Sequence, residues 1–119
     1  MHSLMGLLLL TAFVSFQKPS DEKGAWEWVN GTERSALTFM DDYLVMTSFD
    51  IENRKFHYTF GGPYRIENGK LVVEIQFHTR EKAWVGTSKE WGMHLSGDRM
   101  ELPLEQAGQQ WMKIGRAHV

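Results

Sequence analysis

Three polar side chains between positions 71 and 78 form the group in this sequence best suited to contact a ligand. Glu74, Gln76 and His78 are spaced two residues apart and alternate with apolar residues, so on one strand they would share a face. If that face is turned to solvent, the three are ordinary surface residues of an antiparallel sheet. If it is turned inward, the Glu74 carboxylate needs a partner such as Arg65 or Tyr64, and the group would line an apolar pocket. The sequence leaves both orientations open.

Aromatic residues are the second feature with binding potential, since Trp, Tyr and Phe make up 13% of the chain. Most aromatic side chains fill a core, but an eight-stranded barrel is just wide enough either to be filled or to hold one small ligand. The seven methionines would let such a pocket adapt its shape. We therefore predict a ligand-binding set that comprises Trp28, Tyr58, Tyr64, Glu74, Gln76, His78, Trp91 and Met93.

Catalytic and metal sites have little support in the sequence. His57, His78 and His94 lie on predicted strands, but they include no local pair at metal-ligand spacing, so no metal site is predicted. The chain also has no nucleophile elbow, phosphate-binding loop or zinc-protease motif. We expect neither an enzyme nor a cofactor. A small hydrolase or isomerase that uses Glu74 with His78 or Tyr64 is the less favoured alternative.

Alternation of apolar and polar residues dominates the rest of the chain and predicts half-buried strands. The alternating runs are separated by turn-forming residues such as Asn68-Gly69, and Gly61-Gly62-Pro63 predicts a bulge or bend within one long run. About eight short strands at a spacing of about ten residues predict an all-β fold, an antiparallel up-and-down meander that forms a barrel. Full closure depends on a last strand near Trp111 and is left open.

The two ends of the chain differ from this pattern. Residues 1–16 are apolar for about a dozen positions, which predicts a signal helix and is too short for a membrane span. Residues 17–23 are predicted to be a polar linker, and residues 24–113 the barrel domain. Residues 114–119 resemble a translated sequencing adapter, so we expect them to be an artefactual tail. The protein is therefore expected to be secreted or periplasmic.

Gly24-Ala25-Trp26, at the start of the first predicted strand, resembles the Gly-x-Trp pattern of lipocalins and related calycins. The later Phe60-Gly61-Gly62-Pro63-Tyr64 and a late Trp111 are similar to short exported bacterial proteins described as lipocalin-like. The resemblance implies a barrel whose first-strand Trp packs across the closed end. Lipocalins often pair that Trp with an Arg on the last strand. The only Arg in that position is Arg116, within the suspected tail, so this role is not carried over.

The expected function is an exported binding module for a small apolar molecule or a protein partner, without catalysis. A structural or interaction domain with a filled barrel is the alternative. The net charge of −2 is spread along the chain without a basic run, which argues against nucleic acid as a partner. No stable membrane span is expected after removal of the leader.

Overall fold

The computed structural model describes residues 21–114 and folds them into antiparallel strands joined by turns. A single 3₁₀ turn, Lys82–Trp84, precedes β7. The predicted all-β class is confirmed. The predicted signal helix and residues 115–119 of the predicted tail lie outside the described residues. The strands are β1 (Gly24–Asn30), β2 (Glu33–Phe39), β3 (Tyr43–Asp50), β4 (Lys55–Glu67), β5 (Lys70–Glu74), β6 (Phe77–His78), β7 (Ser88–Gly92), β8 (His94–Ser96), β9 (Arg99–Glu101) and β10 (Gln110–Ile114).

The strands form one nearly closed barrel in the order β7-β5-β4-β3-β2-β1-β10-β9-β8, with the short β6 paired to β4. The two ends of this order are consecutive in the chain, because only Met93 separates β7 from β8. Residues 88–92 pair with β5, and residues 94–96 pair with β9. If β7 and β8 are taken as one strand and β6 is set aside, the ten strands become the eight of the predicted meander.

The β4–β5 connection shows how local sequence sets this geometry. Asn68 and Gly69 have φ values of 53° and 75°, the left-handed pair that a tight hairpin turn requires. The two residues join strands that pair from Tyr64 with Val73 to Glu67 with Lys70. The hairpin predicted at Asn68-Gly69 is therefore confirmed.

Gly61 and Gly62 lie where β4 passes from its pairing with β3 to its pairing with β5. A Cβ atom on Gly62 would lie 1.8 Å from the carbonyl oxygen of Glu74, and one on Gly61 would lie 2.6 Å from the carbonyl oxygen of Leu44. Neither position has room for a side chain. The two glycines therefore permit β4 to change partners along its length.

Short turns at residues 40–42, 68–69 and 97–98 gather at one end of the barrel, which we call the closed end. Trp26 is fully buried, and its Nε1 donates to the carbonyl oxygen of Glu22 at 2.8 Å. Lys113 pairs with Trp26 across β1 and β10, and its ammonium lies 5.0 Å from the indole centroid. The sequence analysis identified only Arg116 as a candidate cation beside the first-strand Trp. In the structure the cation over that indole is Lys113.

Tyr64 completes the closed end. Its hydroxyl donates to the Glu22 carboxylate at 2.6 Å and accepts from the Lys23 ammonium at 2.9 Å, while its ring packs edge-on against Phe39. Burial and the neighbouring Glu22 carboxylate raise the pKa of Tyr64, so the phenol stays protonated. These contacts fix residues 22–23, from the predicted linker, against the barrel.

The interior between the two ends is filled by side chains. Trp111 is fully buried, and its Nε1 donates to the carbonyl oxygen of Leu102 at 2.9 Å. Large apolar residues from nearly every strand surround it. Those less than 2% exposed include Trp26, Leu37, Leu44, Met46, Leu71, Val73, Ile75, Met100 and Leu102.

Candidate ligand-binding site

The end opposite the closed end, which we call the mouth, carries the two longest connections, residues 79–87 and 102–109. Two open cavities of about 410 and 300 Å³ lie there. Both are lined by Tyr58, Arg80 and Glu105, so they are neighbouring parts of one groove. The larger adds Phe60, His78, Glu81, Trp84 and Leu104, and the smaller adds Trp28, Glu33, Ser48, His57 and Gln106.

Two further cavities lie at the closed end. One of about 460 Å³ is lined by Asp21, Leu95, Gly97, Asp98 and Lys113, and Leu95 is the only apolar side chain among them. The other is about 170 Å³ and lies beside Tyr64 and Glu22. Ligand sites are mostly apolar with a few polar groups, so the mouth matches a ligand site better than either of these.

Stacked rings form the wall of the larger mouth cavity. Tyr58 and Phe60 point inward from β4, and β6 places His78 beside them through its pairing with Phe60. The His78 ring lies nearly parallel to both, at 5.3 Å between centroids in each case. Trp84, from the 3₁₀ turn, meets His78 edge-on at 5.1 Å. Tyr58, Phe60 and His78 are at most 7% exposed and Trp84 is half-buried, so Trp84 presents most of the apolar surface of this wall at the barrel opening.

His78 is held by the backbone that follows it. Its Nδ1 accepts hydrogen bonds from the backbone N–H groups of Glu81 at 2.8 Å and Arg80 at 3.2 Å. The side chain is buried at 6% exposure, and burial lowers the pKa of His78. The imidazole is therefore neutral at pH 7.

Glu105 ties the loop of residues 102–109 to the barrel. Its carboxylate accepts hydrogen bonds from Tyr58 Oη at 2.6 Å, Ser35 Oγ at 2.8 Å and Gln109 Nε2 at 3.1 Å. Burial and this carboxylate raise the pKa of Tyr58, which keeps the phenol protonated. The floor of the mouth is thus a closed polar network that holds Tyr58 in place.

Arg80 lines both mouth cavities. Its guanidinium lies 4.1 Å above the centroid of the Tyr58 ring, a cation–π arrangement. In the described part of the chain Arg80 forms no ion pair. The guanidinium is therefore available to a molecule in the groove.

The residues predicted from the sequence do not all lie at the mouth. Tyr58 lines both mouth cavities, His78 the larger and Trp28 the smaller. Tyr64 lies at the closed end. The others lie outside the groove, and they are Glu74, Gln76, Trp91 and Met93.

The stripe of Glu74, Gln76 and His78 does not keep one face. Glu74 is exposed beside Arg65, and the exposed Gln76 accepts a hydrogen bond from Tyr43 Oη at 3.0 Å. Since β5 ends at Glu74 and β6 begins at Phe77, the alternation is interrupted before His78, which turns inward. Glu74 and Gln76 therefore face solvent, as one of the two predicted orientations required, whereas His78 faces the interior, as the other required.

Trp91 supports the aromatic wall from behind, whereas Met93 lies at the closed end. Both are partly buried against the core, and the Trp91 ring lies 6.2 Å from Phe60 and 6.3 Å from Trp84. Met93 joins β7 to β8, and its backbone N–H donates to the carbonyl oxygen of Gly69.

Sequence reasoning missed Arg80, Trp84 and Glu105 as groove residues. All three lie in irregular connections, where the period of two that marks strand faces is absent. The length of the two connections could have indicated these residues, because binding residues concentrate in long connections at one end of a barrel.

Residues 21–114 contain no cluster of three His, Asp or Glu side chains that could hold a metal ion. His57 instead pairs with Glu33 at 2.7 Å. Within the same residues, no helix has the length and apolar character needed to cross a membrane. Comparison of the chain with protein-family models gave no match, and comparison with curated proteins gave none either.

Proposed function

We propose that this protein is an exported, lipocalin-like binding module that takes a small, planar, mostly apolar molecule at the mouth of its barrel, without catalysis. The observation that carries the proposal is the cavity of about 410 Å³ walled by Tyr58, Phe60, His78 and Trp84. That volume falls at the lower end of the range for small-molecule sites. Export is supported by the apolar leader in residues 1–16.

The filled interior limits what the mouth can accept. Trp111, Leu37 and Met46 are fully buried within the barrel, so they occupy the space that a long acyl chain would need. A flat ring can instead lie against the aromatic wall without displacing the core. The proposed module therefore has a filled barrel interior, as in the alternative hypothesis, and binds its ligand only at the open mouth.

A protein partner is the second candidate, and the outer face of the barrel favours it. Val29 and Phe56 are 49% and 57% exposed near the mouth end of their strands, and Ile51, in the turn between β3 and β4, is 50% exposed. Exposed apolar groups of this kind occur at interaction surfaces. Because Phe56 lies outside the groove, its substitution can serve as a control for ligand binding at the mouth.

Binding of N-phenyl-1-naphthylamine, a neutral dye whose fluorescence rises in apolar surroundings, tests the proposal. We expect saturable binding, and we expect Trp84→Ala to weaken it by about tenfold, because loss of an aromatic contact surface costs over 1 kcal/mol. Trp84 is only partly buried, so the variant should fold. Phe56→Ser, an exposed aromatic outside the groove, should leave the affinity unchanged. Absent binding, or equal affinity in wild type and Trp84→Ala, would refute the proposal.

A further inference from the structure

One ring nitrogen of His78 has no hydrogen-bond partner among residues 21–114. Nδ1 accepts two backbone N–H groups, so it carries no proton, and the neutral ring holds its proton on Nε2. No hydrogen bond to Nε2 exists among residues 21–114. The side chain is nevertheless 94% buried, since its exposure is 6%. Nε2–H is therefore a donor of fixed position and known tautomer.

This donor faces the larger mouth cavity. His78 lines that cavity, and the only fully buried, unpaired side-chain nitrogen or oxygen in the described residues is Nε of Arg34. Nε2 of His78 is thus not sealed from open space, and the larger mouth cavity is the one among the four described above that His78 lines. A donor in such a place gains most from an acceptor that a bound molecule supplies.

The charges around the cavity indicate which kind of acceptor fits. Its lining carries the carboxylates of Glu81 and Glu105 and the single guanidinium of Arg80. The Lys89 ammonium lies 4.7 Å from the centroid of the Trp84 ring, so these groups together carry no net charge and give an anionic ligand no advantage over a neutral one. The Glu105 carboxylate already accepts hydrogen bonds from three side chains, so it has little remaining capacity to accept one from a ligand.

We propose that the molecule bound at the mouth is a neutral aromatic compound with a carbonyl oxygen, and that His78 Nε2–H donates a hydrogen bond to that oxygen. The aromatic part lies against the wall formed by Tyr58, Phe60 and Trp84. This inference rests on the proposed function and adds the ligand's chemical class to it. His78 is the specificity-determining residue of the site.

Three naphthalene probes of similar size test the inference. We expect 2-acetylnaphthalene to bind about three- to tenfold tighter than 2-isopropenylnaphthalene, which replaces the carbonyl oxygen by CH₂, as one neutral hydrogen bond allows. The anionic 2-naphthoate should bind more weakly than the ketone. Equal binding of the ketone and the alkene, or tighter binding of the naphthoate, would overturn the inference.

Variants of His78 identify the donor. His78→Phe keeps a flat ring, and His78→Asn keeps an acceptor for the two backbone N–H groups. In both we expect the preference for the ketone over the alkene to disappear. A preference that persists in a folded variant would show that another group recognises the oxygen and would overturn the assignment to His78.

A ¹H–¹⁵N spectrum of the imidazole side chains in the wild-type protein at pH 7 gives a readout that needs no variant. We expect the His78 proton on Nε2, with a resonance that moves on addition of 2-acetylnaphthalene and is less affected by the alkene. A proton on Nδ1 would overturn the inference even if all variants fail to fold. Binding of the alkene with no preference for the ketone leaves the proposed function standing, whereas absent binding of all probes, including the naphthylamine dye, refutes both.

Discussion

Substitution of Gly62 by alanine is expected to destabilise the barrel by more than about 3 kcal/mol, the upper end of the usual cost of overpacking. The added Cβ would lie 1.8 Å from the carbonyl oxygen of Glu74, which is backbone and cannot rotate away. Relief requires β4 and the segment after β5 to separate. Urea unfolding followed by tryptophan fluorescence measures the loss, and a variant that does not fold is the extreme form of the same result.

Gly92→Ala is the matched control for this substitution. Gly92 also lies in a strand, but a Cβ there meets nothing within 4 Å. Its free energy of unfolding should stay within about 1 kcal/mol of the wild type, because alanine also restricts the unfolded chain. Similar stability of Gly62→Ala and Gly92→Ala would contradict the close approach between β4 and Glu74.

Trp111→Ala is expected to lower the free energy of unfolding by about 3–5 kcal/mol, the usual cost of removing a buried aromatic side chain. Trp111 is 0% exposed in the filled interior, and its Nε1 hydrogen bond to the Leu102 carbonyl oxygen anchors the start of the loop of residues 102–109. Thermal and urea unfolding both measure this loss.

The neighbouring Met112 provides the control for Trp111. It belongs to the same strand but is 44% exposed on the outer face, so Met112→Ala should change stability by less than about 0.5 kcal/mol. Losses of equal size in the two variants would contradict the inward position of Trp111 and with it the filled barrel.

Most of the barrel could be predicted from the sequence because half-buried strands impose a period of two on their residues. The alternation in residues 43–50 appears directly as alternating burial of β3, and Asn68-Gly69 forms the expected turn. The break before His78 could not be predicted. It depends on the pairing of β6 with the middle of β4, which is a contact between distant parts of the chain.

The candidate site was less accessible to sequence reasoning for a related reason. Tyr58 and His78 were predicted because they lie on strands with a clear pattern. Arg80 and Glu105 reach the mouth only because two irregular connections are held there by hydrogen bonds to His78, Ser35 and Tyr58. No local sequence pattern indicates those long-range contacts.

The five tryptophan indoles offer the most direct test of the central claim, that ligands bind at the mouth and not in the interior. Trp84 and Trp28 line the mouth, whereas Trp26 is 0% exposed at the closed end. In a ¹H–¹⁵N spectrum titrated with N-phenyl-1-naphthylamine, the Trp84 indole resonance should move most and that of Trp26 should stay in place. A large shift of Trp26 with a stationary Trp84 would contradict binding at the mouth.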